Sequence, residues 1–234
     1  MLRESNKDLL TVPRLEQIPF LIHGFGTRKW KQDGFKNKPE WKDFKLLFLD
    51  QIHSDIIQLM DEIPEKKLKG DAMITRLPLL FLIIQSADCL PVLFVDEPRK
   101  VIAAVHCGWR GTCRRVVQKV IQKMKSHYGC HPSSLLVALG PCIESKCYEV
   151  GENVYQCFEN GGLSTEFFKK HPLRKGKYLF DLRGANLYQM INIGIEEKNI
   201  FSIGLCTHCH ENLLSFRRDN EKAGRMLSFI GMSF

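Results

Sequence analysis

Two apolar segments near the middle of the chain constrain its fold more than any other feature. Residues 79–85 and 90–95 are short, continuous runs of mainly apolar side chains, separated only by residues 86–89. Runs of this length without polar alternation are typical of buried β-strands. A third strand is predicted at 101–106, after a turn at 96–100. We therefore expect buried strands at the centre of the chain.

The rest of the chain alternates strand and helix patterns. From Cys113 to Met124, apolar residues recur with the spacing of one helix face, which predicts an amphipathic helix that stops near Gly129. Asp181 can cap a second helix that runs to about Gly194. Further strands are predicted at 135–139, 200–205 and 226–230. Strands and helices do not alternate strictly, which favours an α+β or mixed α/β fold.

The chain is basic, but its basic residues are scattered. Lys and Arg number 34 against 26 Asp and Glu, which gives a formal net charge of +8. The densest basic segment, 28–45, is not accompanied by an arginine-rich helix or an aromatic RNA-binding motif. We interpret the charge as a solvated surface, expect no nucleic-acid partner, and predict an exposed lysine-rich loop at 29–45.

Membrane insertion and disulfide bridges are both disfavoured by the sequence. The most apolar stretch, 77–95, is interrupted by two prolines and by Gln85 and Asp88, so it is too broken to span a bilayer. Residues 1–8 lack the apolar core of a secretory signal, which predicts a cytoplasmic protein. In that reducing compartment the nine cysteines are expected to be thiols or metal ligands.

Three segments carry reactive side chains near predicted strand ends, at 51–54, 86–91 and 104–112. They contain His53, Cys89 and His106, and two imidazoles with one thiol are a plausible zinc-binding set. Three protein ligands leave a fourth position for water, whose pKa zinc would lower. A second interpretation needs no metal, because Cys89 could be a nucleophile and His106 its base. Spacing alone does not require the three side chains to meet.

Several motifs follow one another in a fixed order. They are Gln51-Ile52-His53-Ser54, Gly70-Asp71-Ala72, Ser86-Ala87-Asp88-Cys89-Leu90-Pro91, His106-Cys107-Gly108-Trp109-Arg110, Gly140-Pro141-Cys142, Cys147-Tyr148-Glu149-Val150, Phe216-Arg217-Arg218-Asp219 and Gly224-Arg225-Met226. With these motifs the chain resembles the YfiH-type family, whose members are described as multicopper polyphenol oxidases, laccase-domain proteins or purine nucleoside phosphorylases. The resemblance implies a layered sandwich of mixed β-sheets flanked by helices. It also implies one domain over residues 1–234, with 1–45 as a divergent N-terminal segment.

The resemblance further implies a catalytic metal site at His53, Cys89 and His106, with zinc as the cofactor and copper as the alternative. The implied activity is phosphorolysis of adenosine, inosine and methylthioadenosine to the free base and a ribose 1-phosphate, with adenosine deamination as a second activity. The expected partners are a purine nucleoside and phosphate, with no membrane. We expect a monomer, with a homo-oligomer as the alternative.

Three further residues fit this chemistry. Arg110, close to His106 and near the predicted start of a helix, suits phosphate, because a guanidinium and a helix N-terminus both favour oxyanions. Arg28 is a second candidate for the substrate. Asp71 could orient a ligand histidine or hold a ribose hydroxyl, although a turn or capping role fits it equally well.

The sequence departs from the family pattern in its N-terminal part. Gly24-Phe25-Gly26-Thr27-Arg28 is present, but the stretch after it is short and lysine-rich. It lacks the glycine-rich loop and the asparagine-leucine segment that are usual there. If that loop lines the pocket, the departure affects the choice of substrate and leaves the metal-binding residues intact.

Other functions remain open at this point. The signatures of ordinary zinc deaminases, H-x-E and P-C-x-x-C, are absent. A chain with eight histidines has too few for a blue-copper centre plus a trinuclear copper cluster, although the two histidines and Cys89 could bind one copper ion. The segment 206–210 matches the C-x-x-C-H pattern of haem attachment, but chance thiols or a second zinc-binding cluster fit it better. A basic binding module without enzymatic activity is a further alternative.

Overall fold

The computed structural model describes residues 8–234, and mixed helices and sheets make up this part of the chain. Its strands are β1 (Leu9–Leu10), β2 (Leu21–Gly26), β3 (Lys45–Phe48), β4 (Ile57–Met60), β5 (Ala72–Thr75), β6 (Leu80–Ser86), β7 (Leu90–Asp96), β8 (Val101–Cys107), β9 (Leu136–Leu139), β10 (Glu149–Gly151), β11 (Phe168–Lys170), β12 (Lys177–Phe180), β13 (Ile200–Ser202) and β14 (Met226–Met232). Its α-helices are α1 (Pro13–Glu16), α2 (Asp33–Lys36), α3 (Trp109–Cys113), α4 (Val116–Tyr128), α5 (Glu152–Asn160), α6 (Leu182–Asn192) and α7 (Phe216–Asp219).

The three central strands are confirmed, and they belong to two large sheets. β7 and β8 form an antiparallel pair in a six-stranded sheet with the order β13-β9-β7-β8-β5-β4. β6 lies in a five-stranded sheet with the order β1-β2-β14-β6-β3. Both sheets contain parallel and antiparallel pairs, and a small third sheet has the order β10-β12-β11.

The two large sheets pack face to face. Because successive side chains of a strand point to opposite faces, alternate residues such as Leu93 and Ile102 of the six-stranded sheet pack in one core with Leu82 and Ile230 of the five-stranded sheet. The other face of the six-stranded sheet contacts α4, α5, α6 and the small sheet. This arrangement confirms the predicted layered sandwich of mixed sheets flanked by helices.

The helix predicted from Cys113 is correct in its buried face but wrong in its continuity. Arg115 adopts a left-handed backbone with φ 62° and separates α3 from α4. α4 then buries Val117, Val120 and Ile121, and it ends at Gly129 in the left-handed conformation that favours glycine. The second predicted helix is also found, and its cap Asp181 accepts a hydrogen bond from the Gly184 amide.

The prediction of an exposed loop at 29–45 is wrong. Its lysines are accompanied by aromatic residues, and Trp30, Phe35 and Phe44 are buried. They pack with Phe81 and Phe229 against the outer face of the five-stranded sheet. That face is itself apolar, so the segment covers it as a further layer.

One pair of cysteines also departs from prediction. Cys113 and Cys157 form a disulfide, with their Cα atoms 6.3 Å apart, because α3 and α5 pack against each other. The separation of 44 residues in sequence gave no indication of this contact. The seven other cysteines are free thiols.

Within residues 8–234, no helix combines the length and the apolarity that a membrane crossing requires. The prediction that the N-terminus carries no secretory signal rested mainly on residues 1–7, which lie outside the described part of the chain. The cytoplasmic location, the monomeric state and the extent of the single domain stay predictions.

Candidate active site

Strand pairing brings the predicted site residues together. Cys89 immediately precedes β7, and the register of β7 with β8 sets Pro91 opposite His106. Asp71 immediately precedes β5, and its carbonyl accepts a hydrogen bond from the His106 amide at 2.7 Å. The short distance between these backbone positions follows from sheet register, which sequence spacing alone does not reveal.

His53, Cys89 and His106, hereafter the trio, converge on one point. The sulfur and the available imidazole nitrogens all lie within 4.8 Å of one another. The rings of His53 and His106 are nearly perpendicular, at 75°, with centroids 4.9 Å apart. His53 is exposed, Cys89 half-buried and His106 buried. The trio therefore offers three convergent donor atoms with access from one side.

Asp71 holds two members of the trio in place. This fully buried carboxylate contacts Nδ1 of His106 at 2.9 Å and accepts the His53 amide at 3.1 Å. It also accepts the amides of Ile52 and Ser54 and the Ser54 hydroxyl. Because Nδ1 is engaged, Nε2 of His106 is the nitrogen left for a ligand. Burial acts to raise the pKa of Asp71, but hydrogen bonds from His106 and Ser54 outweigh it and lower the pKa.

The charge state of the pair Cys89 and His106 suits a thiolate ligand. Burial acts to raise the pKa of Cys89, but the charges of His106 and His53 and their hydrogen bonds lower it to about 6. Burial acts to lower the pKa of His106, but Cys89 and Asp71 raise it to about 9. A thiolate next to an imidazolium is the charge state of a cysteine nucleophile, so the metal-free interpretation stays open. A metal ion would bind His106 only after this imidazolium has lost its proton.

Backbone conformation at the site is unusual at two non-glycine residues. His53 has φ 57° and Asp88, next to Cys89, has φ 92°. Such conformations persist only where surrounding contacts impose them. The Asp88 carboxylate accepts hydrogen bonds from the Thr207 hydroxyl and the Arg217 amide, both at 2.6 Å.

Gly108 lies directly against the trio. A Cβ at this position would stand 3.1 Å from Sγ of Cys89 and 3.1 Å from Cδ2 of His53. Both contacts are closer than side chains normally make, so any larger residue would occupy space that the trio needs.

The trio opens into a cleft of about 430 Å³. Its walls combine basic and aromatic side chains, which are Lys67, Arg110, Arg217, Arg225, Trp109, Tyr148 and Phe216. The Arg110 guanidinium lies over the Trp109 ring at 4.4 Å, and within residues 8–234 it has no hydrogen bond or ion pair. The cleft also contains the buried Ser86 hydroxyl, which lacks a partner in the same part of the chain.

Of the two arginines predicted to contact substrate, Arg110 lines the cleft, whereas Arg28 does not. Arg28 instead donates to the carbonyl oxygens of Glu211 and Leu213 and forms an ion pair with Asp219 at 3.6 Å. None of residues 29–45 lines the cleft either, so the altered N-terminal segment does not form a wall of it.

Sequence reasoning missed six of the basic and aromatic side chains of the cleft, namely Lys67, Trp109, Tyr148, Phe216, Arg217 and Arg225. All of them except Lys67 stand in a motif that carried the family resemblance. The signal was therefore present, but nothing in the residues themselves tied these distant motifs to the trio.

Comparisons with known proteins bear on the family and the fold of the chain. Residues 33–233 match the model of a family described as multi-copper polyphenol oxidoreductase laccase. A purine nucleoside phosphorylase of Clostridium acetobutylicum is 37% identical over 203 residues, which cover 85% of this chain and 82% of the relative. An adenosine deaminase from an unknown prokaryotic organism is 32% identical and covers 77% of this chain and 72% of its own length. The crystal structure of a Bacillus licheniformis hypothetical protein, YfiH, covers 99% of both chains with a TM-score of 0.88 and 26% identity.

Proposed function

The chain belongs to the YfiH-type family, the family described as multi-copper polyphenol oxidoreductase laccase, and from this premise we propose that it is a purine nucleoside phosphorylase. The observation that carries the proposal is the composition of the cleft, in which the trio, basic side chains and aromatic rings line one space. Its substrates are then a purine nucleoside and phosphate.

Basic side chains in the cleft suit phosphate. Arg110 is the first candidate, because its guanidinium is held over Trp109 and its donors are unoccupied in the described residues. Arg217 donates to the Glu149 carbonyl at 2.8 Å and lies on the Tyr148 ring, so it is oriented before a ligand arrives. Planar guanidinium groups bind phosphate oxygens in pairs, which fixes the direction of an attacking oxygen.

Aromatic and polar groups suit the nucleoside. Trp109, Tyr148 and Phe216 offer ring faces on which a purine can stack. The Ser86 hydroxyl is buried without a partner, and a ligand hydroxyl or ring nitrogen would satisfy it. In the reaction, a phosphate oxygen forms a bond to C1′ of the ribose while the bond from C1′ to the purine nitrogen breaks.

The trio fits a metal ion. Two imidazoles and a thiolate within 4.8 Å of one another form a donor set that zinc prefers, and one that copper also accepts. We propose zinc held by His53, Cys89 and His106, which supplies a Lewis acid when it is bound. Asp71 orients His106 through Nδ1 and fixes the His53 backbone, so the donor atoms converge before a metal binds.

Product analysis with adenosine tests the proposal. Zinc-loaded protein should release adenine only when phosphate is present, and Cys89→Ala should lose this activity. Arg110→Ala should raise the KM for phosphate by about 10-fold or more, as expected for one charged contact. Arg114→Ala is the matched control, because Arg114 lies on the same turn but pairs with Asp55 outside the cleft. Adenine release that does not depend on phosphate would contradict the assignment.

Adenosine deamination is a second candidate, favoured by the relative that is named an adenosine deaminase. The cleft contains two carboxylates that could carry protons, Asp50 and Asp88. Asp88 is engaged through both oxygens, whereas Asp50 is exposed and has no side-chain partner within residues 8–234. Inosine formed without phosphate, and lost in Asp50→Asn, would favour this reaction.

A further inference from the structure

A second group of sulfur and imidazole side chains lies outside the cleft. Sγ of Cys147 and Sγ of Cys209 are 3.3 Å apart, and the nearest His208 nitrogen lies within 4.8 Å of both. These three residues, hereafter the outer cluster, are half-buried or exposed, and none of them lines the cleft.

A third sulfur adjoins the outer cluster. Cys206 is buried, and it begins the C-x-x-C segment that ends at Cys209. Its sulfur accepts the backbone N–H of Glu144 at 3.4 Å. An amide directed at a sulfur stabilises it as a thiolate, the form in which sulfur binds metal.

We propose that Cys147, His208 and Cys209 bind a second zinc ion, with the adjoining Cys206 sulfur as the fourth donor. Thiolates and imidazole are the usual ligands of closed, structural zinc sites, and two of the cysteines show the C-x-x-C spacing of such sites. The convergence of the imidazole with the thiols favours metal over a Cys147–Cys209 disulfide, because a disulfide would not need His208.

The position of this site gives it a structural role. Cys147 immediately precedes Tyr148, whose ring lines the cleft. Thr207, between Cys206 and His208, donates its hydroxyl to Asp88 next to Cys89. A zinc ion at the outer cluster would therefore join two loops that each support a residue of the cleft, and it would do so from outside the cleft.

Zinc content per chain, measured by elemental analysis after desalting, tests the inference. The parent should retain about two zinc ions, and Cys89→Ala should retain about one, held by the outer cluster. Introducing Cys209→Ser into the Cys89→Ala protein should remove the remaining ion. His208→Ala should act in the same way, whereas His210→Ala should not, because this exposed imidazole on the same turn is not part of the cluster.

Cobalt substitution gives a readout that does not depend on activity. In Cys89→Ala, bound cobalt should show intense thiolate-to-metal charge-transfer absorption, and Cys209→Ser should reduce it.

The inference is overturned if Cys89→Ala retains no metal, or if Cys209→Ser leaves its metal content unchanged. A Cys147–Cys209 disulfide detected by mass spectrometry in freshly purified, metal-containing protein would also overturn it. Because the deciding metal measurements are made in protein without Cys89, they do not depend on the reaction proposed for the cleft.

Discussion

At the scale of single residues, the site depends on groups that are not themselves proposed metal ligands. Asp71 collects the amides of Ile52, His53 and Ser54 and also contacts the His106 ring. One carboxylate therefore sets the position of one histidine through its backbone and of the other through its side chain. Gly108 contributes by having no side chain at all.

Gly108→Ala should weaken metal binding without unfolding the protein. Gly108 has φ −84°, which alanine adopts readily, so the backbone tolerates the change. The new methyl group would stand 3.1 Å from Cys89 and His53 and would push them apart. We expect zinc affinity to fall by about 10-fold or more, the size of effect seen when ligand orientation is lost, with a melting temperature close to that of the parent.

Gly151→Ala is the matched control. Gly151 precedes α5 with φ −86° and ψ 170°, almost the same backbone conformation as Gly108. Its added Cβ meets chiefly the end of the flexible Asn153 side chain, which does not line the cleft. Equal zinc affinity in the Gly108→Ala and parent proteins, by competition with a chelator, would contradict the argument.

At the scale of helices and strands, the sequence predicts the elements whose apolar residues recur at a regular spacing or form an unbroken run. The strands β6, β7 and β8 were found within one or two residues of the predicted ends, because burial on both faces leaves a continuous apolar run. The break at Arg115 was not predicted, because a single left-handed residue leaves the apolar spacing on either side intact.

The site shows the same division between predictable and unpredictable features. Reactive side chains near strand ends were visible in sequence, whereas the sequence did not show that Arg28, a second candidate for the substrate, lies outside the cleft. Arg28 and Arg217 both lie in motifs, yet only Arg217 reaches the cleft. Which of them does so depends on how β2 and α7 pack, a long-range contact that no local pattern encodes.

Phe35→Ala tests whether the segment 29–45 is a structural cover. The Phe35 ring is buried and lies 4.8 Å from the Phe229 ring and 5.4 Å from the Phe81 ring, centroid to centroid. Its loss should lower the free energy of unfolding by about 3–5 kcal/mol. Turnover of the folded variant should be unchanged, because no residue of this segment lines the cleft.

Chemical denaturation and steady-state kinetics measure the two effects separately. Leu173→Ala, which truncates a side chain that is 89% exposed, should leave the free energy of unfolding within about 0.5 kcal/mol of the parent. A change in KM in Phe35→Ala at a temperature where the variant is fully folded would show that the segment influences the cleft.

At the scale of the whole molecule, one buried histidine ties stability to pH. His23 on β2 is buried and accepts the Val12 amide through Nε2 at 2.9 Å. Burial lowers the pKa of His23 to about 4, from an ordinary value of 6.5. Between these values the unfolded chain binds a proton that the folded chain does not, so the folded state loses stability as pH falls.

His23→Gln should flatten this dependence. An amide oxygen can accept the Val12 N–H without titrating, so the variant should lose roughly 3 kcal/mol less than the parent between pH 6.5 and pH 4. Denaturant titrations at several pH values measure the difference. His131→Gln, which changes an exposed histidine, is the control. The assignment would be refuted if the His23→Gln variant lost as much stability as the parent when the pH falls.

The strained backbone at Asp88 has a consequence for the order of events during synthesis. Its carboxylate is held by Thr207 and Arg217, which follow it by 119 and 129 residues. Until residue 217 has been synthesised, a nascent chain lacks these hydrogen bonds. Nothing then holds the backbone next to Cys89 in its folded conformation. We therefore expect the trio to assemble only after residues 207–217 have left the ribosome, so that a metal ion held by the trio would bind after that point.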